Sequence, residues 1–187
     1  IKRAARDIEF SCMQGTYVAD TDVSTARQTR GLGAALTTNK VDAGGDALVQ
    51  ADIDNCLKSM ADNGAPFEQP VIFANAFNKQ KLSGVYSSAL SLAPRDRNIG
   101  GVNITTIETD FGEIGIVYER HIPTSQVFIV DMAFVKPVFL DIPGKGHFFV
   151  EPLAQSGAAY KYQLYGEFGL EYGPEQFHGN IHSTSTS

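Results

Sequence analysis

Residues 160–172 read YKYQLYGEFGLEY. Apolar or aromatic side chains hold the even positions Tyr160, Tyr162, Leu164, Phe168, Leu170 and Tyr172, and polar ones hold the odd positions Lys161, Gln163, Glu167 and Glu171. A period of two marks a β-strand with one face buried, because successive side chains point to opposite sides. At about 3.3 Å per residue the run would reach roughly 40 Å, well beyond the usual five or six or so residues of a strand. Two outcomes fit: an unusually long strand, or one broken by a bulge at Gly166 and Gly169.

Working outward from this run, the chain from Gly100 onward reads as mostly β. Residues 102–109 and 113–119 are strand candidates joined by the tight turn Asp110-Phe111-Gly112, and 126–132 is another, entered after Pro123. Pro143-Gly144-Lys145-Gly146 reads as a turn. Upstream, Pro70-Val71-Ile72-Phe73-Ala74 is a continuous apolar run suited to a strand buried on both faces. Asn75 can cap a helix reaching about Val85. Residues 49–63 form a helix whose stripe is Val49, Ile53, Cys56, Leu57 and Met60, with Gly64 as its stop. A first helix over residues 1–14 carries the stripe Ile1, Ala4, Ala5, Ile8 and Cys12. Residues 20–30 read as an extended polar loop, 31–36 as a small apolar patch, 42–46 (DAGGD) as a turn and the Ser/Thr tail 183–187 as frayed. Helices first and strands later make an α+β protein.

The first residue is Ile1, and no Ser, Thr, Asp or Asn caps the helix that starts there. The expectation is an upstream segment whose helix runs into residue 1, and a fragment that does not build a closed assembly by itself. Charged residues at Lys2, Arg3 and Arg6 without an apolar block behind them exclude a signal peptide there, and no apolar run approaches the eighteen or so residues of a membrane helix. The chain of 187 residues is 43% hydrophobic and 19% charged, with a net charge of −6 and no tryptophan. Proteins that hold nucleic acid by their own charge are basic, with clustered Lys and Arg; here the positive charges are scattered, which argues against direct reading of DNA.

Catalytic or ligand chemistry finds little support. His178 and His182 are four apart, but Gly179 and Asn180 lie between them in β-patterned sequence. His121 and His147 have no Ser, Cys or Asp partner nearby. The DAGGD turn lacks the Gly-Lys-Ser/Thr ending of a phosphate loop, 143–146 lacks a following helix, and Asp20 and Asp22 lack further oxygen donors at calcium-loop spacing. Cys12 and Cys56 sit on helical apolar stripes, read as small unbridged hydrophobes. The reading therefore assigns no catalytic residue, cofactor or metal. It pairs the two ends of the chain instead, with Ile8 and Cys12 of the first helix packing on Leu164, Phe168 and Leu170 as a structural core.

Several runs together resemble a known family. Gly101-Val102, Thr109-Asp110-Phe111-Gly112, Arg120-His121-Ile122-Pro123 and Val130-Asp131 follow one another in the order seen in tailed-phage major capsid proteins with the Hong Kong 97-type fold. Glu151-Pro152-Leu153-Ala154-Gln155-Ser156-Gly157, Gly166-Glu167-Phe168-Gly169-Leu170-Glu171 and His178-Gly179 resemble the closing pattern of that family. Arg6-Asp7-Ile8-Glu9, Arg30-Gly31-Leu32, Val41-Asp42-Ala43-Gly44-Gly45 and Asp62-Asn63-Gly64 resemble its front. The departure is the missing N-terminal arm and extended loop. The resemblance implies a peripheral domain with a spine helix and following loop at 1–30, an axial domain at 31–145, and a return to the peripheral domain at 146–187. It implies a structural subunit of an icosahedral head, assembling with itself into pentamers and hexamers in the host cytoplasm and located in the virion, with other phage head proteins as partners. Such a shell encloses double-stranded DNA without sequence-specific binding and has no membrane. Two other readings stay open: an encapsulin-like cargo compartment subunit, and a small soluble hydrolase with an unrecognised site.

Overall fold

The computed structural model describes residues 2–89, 105–155 and 157–186. Its organising element is a six-stranded mixed sheet in the order β1 (Lys40–Asp42), β10 (Gly179–His182), β5 (Gln126–Asp131), β2 (Pro70–Ala74), β4 (Gly112–Tyr118) and β3 (Thr106–Thr109). The pairs β1–β10 and β2–β4 are parallel, and the other three are antiparallel. The central strands β2 and β5 are the continuous apolar runs of the sequence, and they are covered on both sides.

Alternation along β2 and β5 divides the core in two. Ile72, Ala74, Val127 and Ile129 join Ile114, Ile116 and Ile181 beneath α3 (Gln50–Asp62) and α4 (Ala76–Ala89), whose Ile53, Cys56, Leu57, Met60 and Leu82 complete that layer. Phe73, Phe128 and Val130 point the other way, against Leu32 of α2 (Leu32–Ala35), Leu36 and Ile122. Met13 of α1 (Lys2–Gln14), Leu170 and Tyr172 flank this second cluster, half-buried. The helix starts follow local chemistry: Asn75 Oδ1 accepts the Asn78 N–H at 3.0 Å, and the Asp52 carboxylate accepts the Val49 N–H at 3.1 Å. Val49 itself is the extended residue before α3 and is exposed, so it drops out of the stripe expected there.

The alternating run at 160–172 is broken. It becomes β8 (Tyr162–Tyr165) and β9 (Phe168–Glu171), one side of a nested two-stranded arm whose other side is β6 (Lys136–Phe139) and β7 (Phe149–Pro152). Between the two ribbons, residues 140–148 bulge out opposite only 166–167, with Leu140 N–H still donating to Glu167 O at 3.0 Å. Gly166 sits at that offset because an added Cβ would lie 2.2 Å from the Phe148 ring.

The expectation of a frayed tail is corrected. The tail is held as far as it is described: Thr184 is 3% exposed, with its N–H on Ser125 O, and Ser185 N–H reaches Asp46 O. Of the five residues expected to form a terminal core, Ile8, Cys12, Phe168 and Leu170 are half-buried and Leu164 is 44% exposed on β8. Helix α1 lies against β9, and Met13 and Leu170 each pack on the second cluster. Strand β10, from the segment 146–187, lies inside the same sheet as β1, β2 and β5. Residues 102–104, Gly101 and Ile1, used in the sequence reading, lie outside the described residues.

Candidate functional site

A fully buried titratable pair joins the last segment to the sheet. His178 is fully buried just before β10. Its Nδ1 accepts the Asp131 N–H at 3.1 Å, which leaves the ring proton on Nε2, 2.7 Å from the Tyr172 carbonyl. Burial holds its pKa below the ordinary value, so the ring is neutral. The Asp131 carboxylate, also fully buried, accepts from the N–H groups of Glu68, Gln69 and Ala133. Every polar atom of the pair already serves the backbone, so the arrangement fixes chain geometry and offers nothing to a substrate. Asn39 does the same nearby, donating to Gln176 O and His178 O and accepting from Ser59 and Asn63.

A second group brings together residues 111 positions apart in the chain. Arg120 donates from its guanidinium to Glu9 at 3.0 Å and from Nε to His121 Nε2 at 3.0 Å. Glu119 accepts the His121 N–H at 2.9 Å, and Gln14 of α1 donates to the His121 carbonyl. The ligating atoms of Glu9, Glu119 and His121 are close enough for one cation. The guanidinium, however, already holds the Glu9 oxygen and the His121 lone pair, and its charge would oppose a metal ion. The hydrogen bond from Arg120 also holds the Glu9 carboxyl below its usual range. The group is a clasp between α1 and the segment after β4. Nothing in the local sequence signals it.

The other sequence candidates resolve into local structure. His178 and His182 flank a strand, where four residues span about 13 Å, too far to share an ion; His182 lies 3.7 Å from Asp42. His147 packs its ring on Phe139. Asp22 accepts four hydrogen bonds from Ser24 and Thr25, and Asp20 pairs with Arg27. In the 42–46 turn the Asp42 carboxylate accepts the Gly44 N–H. Cys12 is half-buried and Cys56 buried, both as free thiols, and burial pushes Cys56 up to about 12. A groove between α1, residues 16–30 and β8–β9 is lined by Phe10, Tyr17, Arg27, Phe168 and Leu170. Its cations are engaged, Arg27 by Asp20 and Arg30 by the Tyr17 ring. Exposed apolar side chains gather on β7 and β8, at Val150, Tyr162 and Leu164.

Against known families, the model described as SU10 major capsid protein matches residues 1–185. No curated protein sequence matches the chain. Among solved structures it is similar to the SrpI encapsulin complex of Synechococcus elongatus PCC 7942, with a TM-score of 0.58 and 11% identity over 84% of this chain and 57% of that one. It is also similar to the capsid of Cyanophage P-SCSP1u, with a TM-score of 0.52 and 13% identity over 92% of this chain and 71% of that one. A Mycobacterium phage Patience chain matches with a TM-score of 0.50 and 13% identity, over 81% of this chain and 49% of that one. At these identities the likeness is one of fold. The chain spans roughly half the length of the SrpI and Patience chains.

Proposed function

The chain belongs to the SU10 major capsid protein family, a structural and non-enzymatic family, and from that premise we propose that it is a subunit of an icosahedral phage head that assembles into pentamers and hexamers around double-stranded DNA. The observation that carries this reading is the family match over residues 1–185. In this proposal the six-stranded sheet with α3 and α4 is the axial domain, and α1 with the two-stranded arm belongs to the peripheral domain, α1 being its spine helix. The net charge of −6 fits a wall that encloses DNA without sequence-specific contacts. Other phage head proteins are the further partners, the virion is its location, and assembly takes place in the host cytoplasm.

The alternative of a cargo compartment draws on the fold shared with the SrpI encapsulin. Electron microscopy of the full-length protein expressed in cells tests the proposal. Closed particles of uniform diameter are expected, and in an infected or induced host they contain nuclease-protected DNA. Particles filled with a second protein would favour the compartment reading, and a protein that stays monomeric at all concentrations would overturn both.

A further inference from the structure

One face of the arm's distal ribbon carries exposed side chains on both strands. The register pairs Val150 with Leu164 and Pro152 with Tyr162. Cross-strand partners share a face, and so do residues two apart on a strand, so these four side chains form one surface. All are exposed, Val150 by 60% and Tyr162 by 66%. The opposite face is better served: the Phe149 and Tyr165 rings lie 5.5 Å apart, and Lys145 Nζ sits 4.7 Å above Phe149. The wholly apolar face is therefore the uncovered one. A lone two-stranded ribbon is marginal in water, and both its outer edges present unpaired backbone groups. Strands β7 and β8 make their main contacts with each other.

We propose that this face, extended at the tip by Tyr160, is an assembly contact covered by a second copy of this chain; the proposal rests on the shell reading above. The absence of charge among these five residues disfavours DNA as the occupant and calls for an apolar protein surface. Aromatic side chains carry about 150–250 Å² each, so two largely exposed tyrosines with three smaller apolar residues offer on the order of 400 Å². That is as large as the biggest patch on a typical monomer, about 300–600 Å², and smaller than the roughly 800 Å² per partner of a stable two-body complex. Such a patch does not hold an isolated dimer. It suits a contact repeated many times around a closed shell, where each copy is held by several neighbours at once.

The test uses the full-length protein as shells and as dissociated subunits. Hydrogen exchange of the amides in 149–165 is expected to slow at least ten-fold in shells relative to subunits. Leu164→Asp and, as a milder variant, Tyr162→Ser are expected to raise the concentration needed for assembly at least ten-fold, with the subunit's melting temperature within about 2 °C of wild type. Equal protection in isolated subunits would show the face covered by its own chain, and protection that needs a different head protein would show another occupant; either overturns the proposal. Wild-type shells with an indifferent Leu164→Asp overturn the contact alone, whereas a wild-type protein that never assembles overturns the shell reading together with it.

Discussion

A single methyl group at residue 179 tests how closely α3 lies on β10. A Cβ there would meet Cys56 Sγ at 2.4 Å and Met60 Sδ at 3.0 Å, and the short cysteine side chain has little freedom to move aside. Gly179→Ala is expected to cost about 1–3 kcal/mol by overpacking, read as a shift in the urea midpoint. The two thiols should separate in reactivity. Cys56 is buried with its pKa pushed up to about 12, while Cys12 is only half-buried, so a thiol reagent near neutral pH should modify Cys12 in the native protein and Cys56 only on unfolding. His178 links stability to pH. The fold keeps it neutral, with its pKa below the ordinary 6.5, whereas the unfolded chain restores the ordinary value. The unfolded state therefore takes up a proton that the fold refuses. Stability from this residue is complete above about pH 7 and is lost as pH falls through 6.5 toward the depressed folded value, at up to about 1.4 kcal/mol per unit. Urea titrations at about pH 7.5 and 5.5 should show a smaller loss in His178→Gln than in wild type; equal losses would remove His178 from the account.

Among elements, the arm shows how two leucines of one alternating pattern part company. Leu170 on β9 packs on the cluster around Phe128, as Met13 does. Leu164 on β8 projects from the distal ribbon and is 44% exposed. Truncation of Leu170 to Ala should cost the isolated subunit about 1–3 kcal/mol, less than a fully buried leucine because it is only partly enclosed. Leu164→Ala should stay within about 0.5 kcal/mol. Chemical denaturation of both variants decides this, and similar losses would mean that the distal ribbon is covered within the subunit. A Met13–Leu170 double-mutant cycle should show coupling above about 0.5 kcal/mol, since both side chains rest on one cluster.

At the scale of the molecule, the two core layers share their strands. Ile129 faces α3 and α4, and its neighbour Phe128 faces α2. Neither layer can melt without losing the backbone that holds the other, so unfolding should be a single cooperative transition. Far-ultraviolet and near-ultraviolet dichroism should coincide on heating, and Ile129→Ala and Phe128→Ala should each lower the whole transition by about 2–5 kcal/mol. Two separated transitions, each sensitive to one of the substitutions, would show instead that the layers are independent.

Much of this architecture is legible in the order of residues. The stripe Ile53, Cys56, Leu57 and Met60 of α3, the runs that became β2 and β5, and the Asn75 cap are all local, because a helix or strand period and a capping side chain act within a few residues. Alternation at 160–172 likewise told which side chains share a face. It could not tell whether anything covers that face, nor decide between one long strand and a break at Gly166, because the break is imposed by the bulged residues 140–148 on the partner strand. The tail was misread for the same reason: its order comes from Ser125 and Asp46, far away in the chain. The Glu9–Arg120 clasp and the four hydrogen bonds of Asn39 are also long-range. Periodicity is a property of neighbours in sequence, whereas burial and polar satisfaction belong to neighbours in space. Only the tertiary structure could decide that Leu170 is half-enclosed and Leu164 left open.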